Sequence, residues 1–218
     1  MSHDTVPPLQ LIAPEALALD AAYSPLSMAL TRVLRARRSC RSFSPAPLSP
    51  YQLSRLLWAA FGVNRPELGL RTAPSAGNKQ AIDIYVAVSG GLYRFDARDW
   101  LLQPVLAGDV RAATGARDYV DEAPLNLIYV ARLHGEAGVP RADQQFYAAL
   151  DTGFISQNVY LFCAAEGLAT VVRGWVDRPA LAAAMGLAPE QLVVAAQSVG
   201  HPPEGPQCDP DSWPSGAD

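Results

Sequence analysis

The chain has 218 residues, of which half are hydrophobic and only 17% charged, with a net charge of −4. That length suits one large domain or two small ones. A weakly acidic balance argues against nucleic acid as the main partner, because such partners select a basic surface.

Residues 1–22 read as an irregular arm, with Pro7, Pro8 and Pro14 and no helical period. Ser24-Pro25 is a helix start, an N-cap followed by proline at the first helical position. Leu26, Leu30, Val33 and Leu34 then form one apolar stripe. Ser49-Pro50 repeats the signal for a second helix, with the stripe Leu53, Leu56, Leu57 and Ala60 and a stop at Gly62. Pro66, Gly69, Pro74 and Gly77 make 63–80 a long loop. The alternating, β-branched run Ile82–Val88 is a strand, and Gly90-Gly91 turns it into a hairpin partner at 92–95.

A further strand is expected over 125–131, and a long helix runs from about Ala142 to Glu166, closed by Gly167. Phe146, Leu150, Phe154, Ile155, Val159, Leu161 and Phe162 cover more than one face of that helix, which predicts burial from two sides. A strand at 170–172, a short helix at 179–185 and a strand at 192–199 follow. The tail from 204 to 218 is rich in proline and acid. Helices and strands do not follow a regular βαβ rhythm and no GxGxxG follows a strand, so the class is α+β, with the body spanning 23–203.

Two stretches carry chemistry. Arg37-Arg38-Ser39-Cys40-Arg41 gathers three guanidinium groups around a hydroxyl. Planar guanidinium forks pair with phosphate oxygens, and the hydroxyl adds a neutral donor. Basic residues after a helix also simply complement its dipole and face water. Pro74-Ser75-Ala76-Gly77-Asn78-Lys79-Gln80 is a loop of small residues that lets a flat ligand approach backbone amides, although small polar residues also make ordinary turns.

In this order and at this distance, the two stretches resemble the nitroreductase family of flavin enzymes. The likeness continues through Gln157-Asn158, Glu166–Thr170 and Gly174 to Val199-Gly200-His201-Pro202, about residues 25–205 in all. Gly91–Asp96 and Arg71–Gly77 are most similar to a SagB-type dehydrogenase subgroup, some of whose members oxidise azoline rings in peptide products.

The resemblance implies a mostly antiparallel sheet flanked by helices, an intertwined homodimer, and FMN at the dimer interface. Arg37, Arg38, Ser39 and Arg41 would hold the phosphate and ribityl end. Pro74, Ser75, Ala76 and Asn78 would reach the flavin of the other subunit. Arg173 and Gly174 would present backbone amides near the ring. The Arg173 cation would then favour reduced, anionic flavin or attract an acidic substrate, or else point to solvent.

The implied activity is ping-pong, two-electron transfer from NAD(P)H to a small nitro- or quinone-like acceptor. The flavin performs the chemistry, so no protein acid or base with an unusual pKa is needed. The rival readings are a non-catalytic flavin or anion binder on this fold and an azoline-type dehydrogenase. One departure from the family is that residues 201–218 hold no Lys or Arg and carry Glu204, Asp209, Asp211 and Asp218 instead. Losing a basic clamp there would remove one charge-assisted contact, roughly 1.5–3 kcal/mol.

Other candidates are weaker. His3, His134 and His201 are scattered, which predicts no metal site. Cys40, Cys163 and Cys208 show no CxxC spacing, which argues against a disulfide framework and for a reducing cytoplasm. No run approaches the roughly 18 apolar residues of a membrane span, and the first residues do not read as a signal peptide. The high apolar fraction points to an oligomer that hides surface in an interface. Lys79, the sole lysine, reads as facing solvent or phosphate rather than forming a Schiff base.

Overall fold

The structure is a computed structural model that describes residues 25–133 and 139–204. The arm at 1–22, His3, Ser24, His134, Cys208, Trp213 and nearly all of the acidic tail lie outside the described residues. The chain divides into two compact units, Met1–Ala36 and Arg37–Asp218. The first contributes α1 (Pro25–Ala36), where proline at the first position supplies a helical φ in advance.

The second unit begins its regular structure with α2 (Pro50–Phe61), which opens on a capping box. Ser49 Oγ accepts the Gln52 amide at 3.2 Å, and Gln52 Oε1 accepts the Ser49 amide at 3.0 Å. Leu56, Leu57, Ala60 and Phe61 are buried along one side. Gly62 ends the helix as expected, but with extended backbone rather than a left-handed turn. Glycine is needed there for space, since a Cβ would lie 2.7 Å from the Trp58 backbone.

The segment 63–80 is not all loop. β1 (Val63–Arg65) and β2 (Leu70–Arg71) form a small antiparallel pair. Strands of two or three residues are too short to show an alternation.

The main sheet contains β3 (Ile82–Val88), β4 (Gly91–Asp96), β5 (Leu101–Ala107), β6 (Leu125–Arg132), β7 (Ala169–Arg173) and β8 (Gln191–Gly200). Their order is β5-β4-β3-β6-β8-β7, and every pairing is antiparallel. β5 had no sequence signal, because Pro104 interrupts it and it does not alternate. Its place at the sheet edge explains how the proline is tolerated.

The remaining helices are α3 (Tyr119–Glu122), α4 (Arg141–Glu166) and α5 (Arg178–Ala184). α4 ends where predicted, on Gly167 at φ +69, a left-handed stop that glycine adopts without strain. The sheet's two faces have separate cores. Leu127, Tyr129 and Ala131 pack with Leu56 of α2 and with Ile155, Val159 and Cys163 of α4. Ile128 and Val130 pack with Val176, Leu181 and Met185 around α5 on the other side. Truncating a fully buried residue such as Ile155 to alanine costs about 2–5 kcal/mol in cores of this kind.

Burial of α4 from two sides is not what one chain shows. Ala148, Ile155, Val159 and Cys163 are buried, but Phe146, Leu150 and Phe154 are 65%, 44% and 40% exposed. The apolar stripe was read correctly, but these three side chains on its second side stay largely exposed.

Candidate active site

The arginine segment lies along the open edge of β7. Cys40 donates its amide to Thr170 O at 2.9 Å, and Ser44 donates to His201 O at 2.8 Å. Tyr160, from α4, completes the seam. Its hydroxyl pairs with Ser39 Oγ at 2.8 Å and accepts the Val172 amide at 3.0 Å. The Arg37 guanidinium lies over the Tyr160 ring, 5.4 Å from its centre. Arg38 is exposed and Arg41 half-buried.

Thr170 and Val172 both use their outward groups on this edge. Gly174 follows the last residue of β7. Gly174 is exposed, and nothing lies within 4 Å of where a Cβ would be. Arg178 fixes the turn beyond it by donating to Gly174 O at 3.0 Å and Val194 O at 3.1 Å. The result is a basic segment beside a short strand edge, with an exposed glycine just past the end of the strand.

The second stretch sits elsewhere on α4. Its backbone is strained, with positive φ at Gly77 (+57), Asn78 (+54) and Gln80 (+48). Non-glycine residues keep such angles only where their surroundings enforce them. Here the Gln80 amide donates to Ser75 Oγ at 3.0 Å, and Gln80 Nε2 donates to Gly69 O at 2.9 Å and to Asn78 Oδ1 at 3.1 Å. Arg71 Nε and Arg132 Nη2 donate to the Gln80 side-chain and backbone oxygens. Asp151 Oδ1 accepts the Ala76 amide at 3.0 Å. Pro74 and Asn78 are exposed, while Ser75 and Ala76 are half-buried.

Asp151 and Tyr160 are the anchors of the two stretches, and they are nine residues apart on one helix. That is about 13–14 Å along the axis and half a turn around it. The loop and the arginine segment therefore hang from opposite flanks of α4 and do not converge within one chain.

Arg173 does not point to solvent. Its side chain is 7% exposed and turns inward. The guanidinium donates to Thr114 O at 2.6 Å, Asn126 Oδ1 at 2.8 Å and Ser198 Oγ at 3.1 Å. Its partners are neutral oxygens, and burial pulls its pKa down to about 10. The open groups at this position belong to the backbone.

Tyr160 and Asp151 were not singled out in the sequence. The available signal was polar residues recurring on the buried side of an otherwise apolar helix, at 151, 152, 156 and 160. Among the described residues no cluster of His, Cys, Asp or Glu could hold a metal ion. Cys40 is buried and disulfide-bonded, against the expectation from cysteine spacing. Cys163 is a buried thiol whose pKa burial pushes up, so it is inert rather than nucleophilic.

Residues 34–201 match the model of the nitroreductase family. A protein of Methanocaldococcus jannaschii named as a candidate nitroreductase is 32% identical over 161 residues, covering 66% of this chain and 78% of that one. A crystal structure of a candidate nitroreductase from Ralstonia eutropha JMP134 superposes with a TM-score of 0.78 at 39% identity, covering 86% of this chain and 90% of that one. The NADPH:FMN oxidoreductase of Vibrio harveyi, solved with NAD+, has a TM-score of 0.61 at 20% identity. It covers 84% of this chain and 72% of that one, and it shares the fold. The likeness anticipated from the two short stretches thus extends across the body of the fold. The chain belongs to the nitroreductase family, a family of oxidoreductases.

Proposed function

We propose that this protein is an FMN-dependent oxidoreductase that works as a homodimer, moving two electrons from NAD(P)H to a small organic acceptor by a ping-pong scheme. The observation that carries this reading is the seam along β7. It sets Ser39 and Cys40 against Val172 and Thr170 of the strand, with Arg37, Arg38 and Arg41 flanking them and the exposed Gly174 just past the strand's last residue.

The residues present fit the cofactor. The guanidinium groups and Ser39 suit a phosphate, and Gly174 leaves room for a flat ring against its backbone. Bound there, flavin supplies hydride chemistry, and the chain's own groups bind and orient it. Pro74, Ser75, Ala76 and Asn78 lie on the far flank of α4, so they serve the flavin of a second copy. The exposed Phe146, Leu150 and Phe154 provide an apolar face for that copy. With no Lys or Arg in 201–218, the N-terminal arginines are the main hold on the phosphate.

Absorbance of the purified protein tests the reading. A yellow protein that bleaches with NADH or NADPH is the expected result, and one that stays colourless in excess FMN overturns it. The double substitution Arg37→Ala with Arg41→Ala should leave a folded dimer and weaken FMN binding by at least tenfold, consistent with the loss of charge-assisted contacts. Unchanged FMN affinity in that variant would refute the phosphate assignment.

A further inference from the structure

The Asp151 carboxyl does more than hold the Ala76 loop. It is 3% exposed, and desolvation raises its pKa. Oδ1 accepts the Ala76 amide, while no described residue donates to Oδ2. The same side chain lines a cavity of about 360 Å³ with Ala76, Lys79, Arg132, Gln144 and Tyr147. That volume lies in the range of small-molecule pockets.

A carboxylate removed from water is costly unless its oxygens meet donors. Two of its polar neighbours in the wall, Arg132 and Gln144, are directed elsewhere. The Arg132 guanidinium faces Asp83 Oδ2 at 3.3 Å and donates to Gln80 O at 2.8 Å. The Gln144 side chain donates to Val139 O at 3.0 Å. The cavity therefore offers an acceptor beside the apolar surfaces of Tyr147, Ala148 and Leu133.

We propose that this cavity binds a compact molecule with a cationic or N–H head, such as an amine, amidine or nitrogen heterocycle. The head sits on Asp151 and the apolar body lies against Tyr147 and Ala148. Calling that molecule a substrate rests on the proposed function, because the Ala76 loop is the one assigned to the flavin of a second copy. The binding itself does not depend on that assignment.

The full-length protein is titrated by calorimetry with benzamidine and, separately, with benzoate, which share a ring and carry opposite charges. Benzamidine should bind at least tenfold more tightly than benzoate, and Asp151→Asn should lower its affinity about tenfold or more, the scale of one charge-assisted hydrogen bond. No binding of either probe, equal affinities, or a preference for benzoate would overturn the proposal, the last by assigning recognition to Lys79 and Arg132. A folded Asp151→Asn protein that binds benzamidine like the wild type would also overturn it. The comparison of the two probes needs no variant, so it decides the matter even if Asp151→Asn does not fold. FMN absorbance in the same samples separates the two readings. Benzamidine binding by a protein that takes no FMN supports the cavity assignment and refutes the flavin one.

Discussion

Tyr160 connects parts of the chain 121 residues apart in sequence, since its hydroxyl meets both Ser39 and the Val172 amide. Tyr160→Phe keeps the ring under Arg37 but leaves that amide without a partner. A buried donor left unsatisfied costs about 1–3 kcal/mol, and Val172 is only half-buried, so urea unfolding should show a loss of about 1 kcal/mol. Asp151 makes a prediction about pH. Its pKa is higher in the folded state, so between the two values the native protein holds more protons than the unfolded chain. Its contribution to stability therefore falls as pH rises from about 4 through the folded pKa. Asp96 and Asp109 act oppositely, because backbone amides and Arg111 respectively lower their pKa values. Subtracting the Asp151→Asn stability profile from that of the wild type isolates the Asp151 slope, and a flat difference would contradict its burial. The arginines and the small-residue loop were legible in sequence because they are contiguous. Tyr160 and Asp151 were not, because what marks them is the group each one touches.

Helix α4 shows how far periodicity carries at the level of an element. Its apolar residues follow a 3.6-residue repeat, and its stop follows from Gly167, which takes the left-handed conformation. That repeat cannot say whether the partner of the second face belongs to the same chain. Exposure of Phe146, Leu150 and Phe154 in one copy predicts a second copy there. Leu150→Glu with Phe154→Glu should shift sedimentation from dimer to monomer. The isolated fold should change by only about 0.5 kcal/mol per site, as for exposed positions. A variant that still sediments as a dimer would move the interface elsewhere. The loop at 74–80 makes a second prediction at this scale. Gln80→Leu removes the side-chain bonds to Gly69, Asn78 and Arg71 while the strained backbone remains. A loss of about 2–3 kcal/mol in thermal or urea unfolding is expected. β5 and the β1–β2 pair escaped sequence reading for the opposite reason, since they are held by neighbouring strands rather than by any pattern of their own.

The whole molecule joins a two-faced antiparallel sheet to a site whose halves face away from each other. FMN absorbance and sedimentation should therefore move together, and the α4 variant that dissociates the dimer should also lose bound FMN. A monomer that keeps FMN at wild-type affinity would show that one chain suffices. The sequence by itself determined helices α1, α2, α4 and α5, strands β3, β4, β6, β7 and β8, the α+β class, the arginine cluster and the family likeness. Each of these is written in local spacing or in contiguous residues. Only the tertiary structure decided that the arginine segment runs along β7, that Arg173 turns inward, that Asp151 lines a cavity and that α4 leaves an apolar face uncovered. Those outcomes depend on which distant backbone groups and side chains meet, and hydrogen bonding and burial settle that only when the chain is packed.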